Sequence, residues 1–148
     1  MNCLDSNSNY ALFMDIIRLH GLNAHMAFTK KGVYPGQPQL LFCLHKNDGQ
    51  SQAELAKTLR MKPPTVTVML QRMERVGMVK REQDKDDQRV VRVYITDYGR
   101  KICAWVYQET QRIEEGMFHG FSGEDEEILN GFLIRLRDNL KDSIDSMR

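Results

Sequence analysis

The sequence predicts a mainly α-helical fold with a small β-ribbon. Apolar residues recur at helical spacing in long segments near both ends of the chain, and an alternating run at residues 90–96 predicts a half-buried strand. The chain has 148 residues, of which 41% are hydrophobic and 28% charged, and this balance is typical of a globular domain and argues against disorder. No stretch is long and apolar enough to predict a membrane span.

The first helix is expected over residues 10–28 and is apolar on two sides. Its two stripes are formed by Tyr10, Phe13, Met14, Ile17 and Ala24 on one side and by Leu12, Ile16 and Leu19 on the other. A helix that is apolar on two sides usually packs against two partners. Turn-forming residues at 32–36 separate it from a short helix around Leu40 and Leu44.

Two short helices separated by a tight turn are predicted in the middle of the chain. Ser51 and Glu54 have the spacing of a capping box, which opens the first of them. This helix extends only to about Arg60, because tandem prolines push Lys62 and Pro63 out of helical geometry. Pro64 can occupy the first turn of the next helix, which ends near Val76 before Gly77.

The two short helices are followed by a hairpin and then by two longer helices. Runs at 78–83 and 90–96 form the ribbon, and the charged segment 84–89 closes it. Thr96 caps one long helix and Ser122 the last one. The last helix carries a coiled-coil-like seam of Leu129, Leu133, Leu136, Leu140, Ile144 and Met147. This order of elements predicts a winged helix-turn-helix, with the terminal helices left to form a homodimer.

The outer face of the second short helix carries side chains suited to reading DNA. A helix-turn-helix places its second helix in the major groove. Val66, Leu70 and Met73 form its inner stripe, whereas hydroxyl and basic side chains lie outside. Short hydroxyls can bond phosphates or base edges, Val68 can meet a thymine methyl, and Arg72 can fork onto guanine. The alternative is an amphipathic surface helix with a polar outer face.

The chain resembles the MarR (multiple antibiotic resistance regulator) family over nearly its whole length. The matching segments are 51–56, 65–67 and 72–81, together with Asp87-Gln88-Arg89, residues 93–96 and Gly99. The chain departs from the family at Lys62, where a Ser or Thr cap is common, and at Val68, where an Arg is common. The resemblance implies an N-terminal dimerisation helix (1–34), a DNA-binding lobe (35–96) and C-terminal dimerisation helices (97–148).

The wing adds a second predicted contact with DNA. In the family an Asp and an Arg two residues apart occupy the wing, and here these are Asp87 and Arg89. An Arg at a hairpin tip can enter a narrow A·T-rich minor groove, and Asp87 can orient its guanidinium by a bidentate contact. The alternative is a weak exposed ion pair. The DNA-contact candidates are Ser51, Lys62, Pro64, Thr65, Thr67, Val68, Gln71, Arg72, Arg75, Lys85, Asp87 and Arg89.

Charge is distributed unevenly along the chain. Residues 57–92 contain ten basic and five acidic side chains, whereas residues 109–148 contain five basic and ten acidic ones. The division is consistent with one part facing a polyanion such as double-stranded DNA, or with two ordinary solvated surfaces.

Other functions are less well supported by the sequence. Cys3, Cys43 and Cys103 are odd in number and widely spaced, and residues 1–10 lack a signal-peptide pattern, so we expect a cytoplasmic protein. No nucleophile, phosphate-loop or zinc-like pattern is present, so we expect no enzyme, cofactor or metal. Two alternatives remain: thiol-based redox sensing through Cys3, and a winged-helix adaptor that binds protein rather than DNA.

The family resemblance also implies a small aromatic or anionic effector. Members are often released from DNA by such ligands. The candidate site consists of His20, His25 and Tyr34, near the junction of the first helix with the turn at 34–36. The alternative is that these side chains simply pack an interface.

Overall fold

A computed structural model describes residues 8–147. Its elements are, in order, α1 (Asn9–Thr29), α2 (Gln37–Lys46), β1 (Gln50–Ser51), α3 (Gln52–Leu59), α4 (Pro63–Arg75), β2 (Val79–Gln83), β3 (Val91–Ile95), α5 (Asp97–Met117) and α6 (Gly123–Asp145). The predicted mainly helical fold with a small β-ribbon is confirmed. The described residues form two compact units, which divide after residue 111. The functional division at residues 34 and 96 stays a prediction.

The sheet has three strands, one more than the sequence predicts. β2 and β3 form the expected antiparallel hairpin, and β1 pairs with the other edge of β3, giving the order β1-β3-β2. Gln50 lies opposite Val93, and Ser51 opposite Arg92. A polar strand of two residues has no measurable periodicity, so only the tertiary pairing defines it.

The core of the first unit lies among α2, α3, α4, the sheet and the start of α5. The inner side of α4 is buried as predicted, with Val66, Leu70 and Met73 fully inaccessible. The other buried hydrophobic side chains of this cluster are Val33, Leu40, Leu41, Leu44, Leu55, Ala56, Met69, Met78, Val79, Val93, Ile95, Ile102, Cys103 and Val106. Phe28 and Trp105 contact each other edge-to-face and both pack against this cluster, which anchors the end of α1.

The turn between α3 and α4 differs by one residue from the prediction. Arg60 ends α3 in the left-handed conformation, and Lys62 is the extended N-cap of α4. Pro63, expected outside the helix, is its first residue. Its own ring sets a helical φ, and a missing N–H is harmless in the first turn. Pro64 disfavours helical backbone geometry at Pro63. Packing of the inner side of α4 into the core outweighs this preference.

The long helices α1 and α6 each expose broad apolar surfaces. Neither contains a buried residue. The exposed large hydrophobic residues of the two helices are Tyr10, Leu12, Met14, Ile16, Ile17, Leu19, Leu22 and Met26 on α1, and Ile128, Phe132, Leu133, Ile134, Leu136, Leu140 and Ile144 on α6. α6 begins at the predicted cap, where Ser122 and Asp125 complete a capping box. Within residues 8–147, none of the helices combines the length and the apolar character needed to cross a membrane.

Candidate nucleic-acid interface

The predicted recognition helix presents its outer face to solvent. Thr65, Val68, Gln71, Arg72 and Arg75 are all exposed, and Pro64 begins the same face. Burial of the inner stripe leaves these side chains on the side of α4 that faces away from the core. The face therefore combines short polar groups, one methyl-bearing side chain and two guanidinium groups, all of which are chemically able to contact a DNA groove.

The cations on and beside α4 form no ion pairs. In the part of the chain that the structure describes, the basic side chains without a carboxylate partner within 4 Å include Lys57, Arg60, Lys62, Arg72 and Arg75. Glu54, three residues before Lys57, is used by the capping box instead. Uncompensated positive charge on α3, on α4 and in the turn between them is suited to phosphate binding.

Lys57 and Arg60 are additions to the predicted contacts. Neither was predicted from the sequence. Glu54 precedes Lys57 by three residues, a spacing at which helical side chains can form an ion pair, and Arg60 lies in the turn after α3. The capping box, which the sequence does predict, is the signal that could have shown Lys57 to be unpaired. We call Lys57, Arg60, Lys62, Arg72 and Arg75 the unpaired basic face.

Two of the predicted hydroxyl contacts are already engaged within the protein. The Ser51 hydroxyl accepts the backbone N–H of Glu54 at 3.2 Å, which leaves its own proton free to donate. The Thr67 hydroxyl donates to the carbonyl of Pro63 at 3.1 Å and lies 3.4 Å from Oε1 of Gln52. Thr67 is therefore better placed to fix the start of α4 than to reach a base.

The wing carries its predicted arginine in a highly exposed position. The Arg89 side chain is 92% exposed. Asp87 Oδ1 accepts hydrogen bonds from the Arg89 backbone N–H at 3.0 Å and from Nε at 3.3 Å. The contact to the guanidinium uses one nitrogen and one oxygen, so it is not the bidentate pair expected from sequence. Lys85 is exposed on the same loop.

The base of the wing is held by ion pairs that the sequence reasoning missed. Arg81 of β2 donates through its backbone N–H, Nε and Nη2 to the carboxylate of Glu74, at 2.5–3.1 Å, which joins the wing to the end of α4. These hydrogen bonds hold the pKa of Glu74 below its ordinary value. Asp84 pairs with Arg92 across the hairpin. Neither pair lies within a single element, so the periodicity of one helix or strand does not reveal it.

Comparison with known proteins agrees with this geometry. The profile of the MarR family matches residues 33–91. Over 113 residues the chain is 30% identical to the uncharacterized HTH-type transcriptional regulator YwoH of Bacillus subtilis (strain 168), covering 76% of this chain and 82% of the relative. The chain belongs to the MarR family of transcriptional regulators. The resemblance predicted from the sequence is thereby confirmed.

Two further similarities fit this MarR-family assignment. The uncharacterized HTH-type transcriptional regulator YdgJ of the same Bacillus subtilis strain is 31% identical over 109 residues, which cover 74% of this chain and 66% of the relative. The structure of the transcriptional repressor CouR, bound to a 23-mer DNA duplex, superposes with a TM-score of 0.77 at 20% identity. That alignment covers 92% of this chain and 99% of CouR, and it shows that the fold is shared.

Of the three candidate effector residues of this MarR-family chain, Tyr34 lines grooves beside the recognition helix. Tyr34 lines two grooves beside α4, of about 450 and 330 Å³, and Arg72 lines both of them. Gln37, which is buried, accepts the backbone N–H of Tyr34 at 2.9 Å and so fixes this turn. His20 and His25 are exposed on α1 and line neither groove.

The cysteines that the structure describes have no features of reactive thiols. Burial raises the pKa of both Cys43 and Cys103, which disfavours the thiolate. Cys3, the candidate redox residue, lies outside the described residues. Between residues 8 and 147, no group of three or more His, Cys, Asp or Glu side chains is arranged to hold a metal ion.

Proposed function

We propose that this MarR-family regulator binds an inverted repeat in double-stranded DNA as a homodimer, with α4 in the major groove and Arg89 in the adjacent minor groove. The observation that carries the proposal is the unpaired basic face. Five cations that protein carboxylates leave uncompensated lie on or next to the helix whose outer side chains suit base contacts. Phosphate contacts by such cations position the helix, and the base contacts supply sequence preference.

The fold of a DNA-bound protein supports DNA as the partner. The structure of CouR is that of a complex with a 23-mer DNA duplex, and CouR shares the fold of this chain. CouR is also described as a repressor, and repression is the regulatory outcome that we propose here. A winged-helix adaptor that binds protein would have no need for the unpaired basic face or for a 92% exposed wing arginine.

Homodimerisation is supported by the apolar surfaces of α1 and α6. A single chain exposes many large hydrophobic side chains on each helix, more than soluble monomers usually leave in contact with water. A two-fold dimer buries the same patch on both chains and presents two recognition helices to half-sites about one helical turn apart.

Release by a small aromatic or anionic effector is the least constrained part of the proposal. Of the predicted residues, Tyr34 lies beside the recognition helix, in grooves that include Arg72 and, in the larger one, Thr65. An aromatic carboxylate bound there would contact groups that the proposal assigns to DNA, so the two ligands would compete. Salicylate and benzoate can be titrated against the protein–DNA complex. If these ligands release DNA from the wild type but not from Tyr34→Ala, the result supports the site. If they leave the DNA affinity of the wild type unaltered, the result contradicts it.

The DNA assignment is tested with a duplex that the wild-type protein selects from a random-sequence pool. Arg72→Ala should weaken binding about tenfold or more and relax the base preference within each half-site, because a bidentate base contact contributes about 1–3 kcal/mol. Arg89→Ala should instead reduce the preference for A·T over G·C pairs at the flanks. Affinity is measured by fluorescence anisotropy at physiological salt.

The control for that experiment is Lys141→Ala. It removes a cation that is already paired with Asp138, at 3.7 Å, on α6. Its affinity and base preference should equal those of the wild type. Unchanged affinity in both Arg72→Ala and Arg89→Ala would contradict the proposed placement of α4 and the wing.

A further inference from the structure

The Asp84 carboxylate closes the wing loop from the inside. It directly follows β2, and its side chain is only 10% exposed. Oδ1 accepts the backbone N–H groups of Asp86 at 2.9 Å and Asp87 at 3.1 Å. Oδ2 pairs with Nε of Arg92 on β3. These hydrogen bonds, the one from Arg92 foremost, lower the pKa of Asp84 to about 2, so the group is a carboxylate throughout the physiological range.

Arg92 joins this carboxylate to the helix-turn-helix part of the unit. Its Nη1 donates to the carbonyl of Gly49 at 3.1 Å, a residue 43 positions earlier in the turn after α2. Gly49 is itself fixed, since its N–H donates to the carbonyl of Val93 at 3.0 Å. Its φ is +73°, and a Cβ there would lie 2.9 Å from the ring of Tyr94, so only glycine fits easily.

The same series of hydrogen bonds reaches the wing tip. Asp87, whose backbone N–H is held by Asp84, accepts both the N–H and Nε of Arg89. An unbroken chain of contacts thus runs from the Gly49 carbonyl through Arg92, Asp84 and Asp87 to the exposed guanidinium of Arg89. We call this chain the wing relay.

We propose that Arg92 and Asp84 are positioning residues that determine specificity by holding Arg89 in the orientation that enters a minor groove. The inference rests on the proposed function, because it requires Arg89 to read DNA. Arg92 is poorly suited to bind phosphate itself, since its charge is compensated by Asp84 and two of its three guanidinium nitrogens, Nε and Nη1, donate within the protein. A wing held in place before binding loses less conformational freedom on binding.

The test measures flank preference, defined as the ratio of affinities for the selected duplex with A·T flanks and with G·C flanks. Arg92→Ala should reduce this ratio as much as Arg89→Ala does, by up to about tenfold. The double variant Arg89→Ala/Arg92→Ala should show no further reduction, because Arg92 acts only through Arg89. Additive reductions would overturn the proposal.

Two other variants separate positioning from charge. Arg92→Lys keeps the charge, but an ammonium lacks the planar fork that bridges Asp84 and Gly49, so this variant should also lack the flank preference. Full rescue by lysine would indicate a direct phosphate contact and overturn the proposal. Arg137→Ala breaks an Arg–Asp pair outside the wing, Arg137–Asp138 at 2.9 Å on α6, and should leave the preference unchanged.

A readout without DNA distinguishes failure of the relay from failure of the proposed function. The pKa of the Asp84 carboxyl, followed by NMR, should be about 2 in the wild type and should rise in Arg92→Ala. An unchanged pKa would show that the relay is absent, while DNA binding could stand. If Arg89→Ala leaves flank preference intact, or the wild type selects no duplex, the DNA role of the wing fails together with the inference.

Discussion

At the residue scale, Arg60 combines an unfavourable backbone conformation with an unpaired charge. Its φ is 52°, and among residues 8–147 it is the only non-glycine residue with a positive φ. It caps α3, where glycine is the residue that adopts this conformation without strain. An arginine here costs stability but places a cation next to the start of the recognition helix, which is consistent with a contact to phosphate.

Replacing Arg60 should therefore change stability and DNA binding in opposite directions. Arg60→Gly should raise the free energy of unfolding by about 0.5–1 kcal/mol, because relief of about 1–2 kcal/mol of strain exceeds the extra freedom of the unfolded chain. It should also weaken DNA binding and reduce the slope of log K against log salt by about 0.9 for each phosphate that is no longer neutralised. Urea denaturation and salt-dependent anisotropy measure the two effects.

Arg60→Lys is the matched control, since it keeps both the charge and the β-carbon. Its stability and DNA affinity should remain close to those of the wild type. A glycine variant that binds DNA as tightly as the wild type would show that Arg60 does not contact phosphate.

Helical periodicity predicted individual residues where one element defines their surroundings. Val66, Leu70 and Met73 are buried and Arg72 and Arg75 are exposed because all five follow the 3.6-residue repeat of a single helix. Arg92 and Asp84 could not be predicted in this way. Their roles depend on the pairing of two strands and on a turn 43 residues distant, which only the folded chain brings together.

At the element scale, the junction between β3 and α5 depends on one close backbone approach. The Thr96 hydroxyl donates a hydrogen bond to the carbonyl of Gly77 at 2.6 Å. The same hydroxyl oxygen accepts the backbone N–H of Gly99 at 3.0 Å and so caps α5. A Cβ on Gly99 would lie 2.0 Å from the Met78 carbonyl oxygen, which is backbone and cannot rotate away. α5 can therefore leave the sheet at this angle only with glycine at this position.

Two glycine-to-alanine variants in α5 should have opposite effects on stability. Gly99→Ala should lower the free energy of unfolding by about 2 kcal/mol or more, because the helix must shift away from the sheet. Gly116→Ala has open space around its new methyl group and should raise that free energy by about 0.5–1 kcal/mol through helix propensity. Thermal and urea denaturation would show this, and equal effects of the two variants would contradict the close approach.

Most elements were predictable because their ends carry local signals. The capping box at Ser51, the tandem prolines and Gly77 place the ends of α3 and α4 within about a residue, and the cap at Ser122 places the start of α6. The missed element, β1, is two residues long and exists only because it pairs with β3. The helix ends were predictable because a cap acts within one turn of its own helix. β1 was not predictable because a strand this short needs a distant partner strand.

At the scale of the whole molecule, two long helices present apolar surfaces that a single chain leaves exposed. The seam predicted on α6 includes Leu136 and Leu140, and about half of each side chain is in contact with water. Exposed leucines at a coiled-coil-like spacing favour association with a second chain.

Carboxylates placed in this seam should abolish the dimer. Leu136→Asp/Leu140→Asp would bury charge without a partner, so we expect monomeric or unfolded protein in sedimentation velocity and no detectable binding to the selected duplex. Arg135→Asp adds a carboxylate on the side of α6 away from the seam, where residue 135 is exposed, and should leave the assembly intact. A wild-type chain that sediments as a stable folded monomer at micromolar concentration would refute the dimer.

If the unpaired cations beside α4 bind DNA phosphates, their removal should change the salt dependence of DNA affinity. The measurement compares wild type with Lys62→Ala/Arg75→Ala and with the charge-matched variant Arg100→Ala/Lys141→Ala, whose two cations are paired within the protein. We predict that the slope of log K against log salt becomes shallower by about 0.9 for each phosphate that the first variant no longer neutralises, and is unchanged in the second. Identical slopes in all three proteins would show that Lys62 and Arg75 do not bind DNA phosphates.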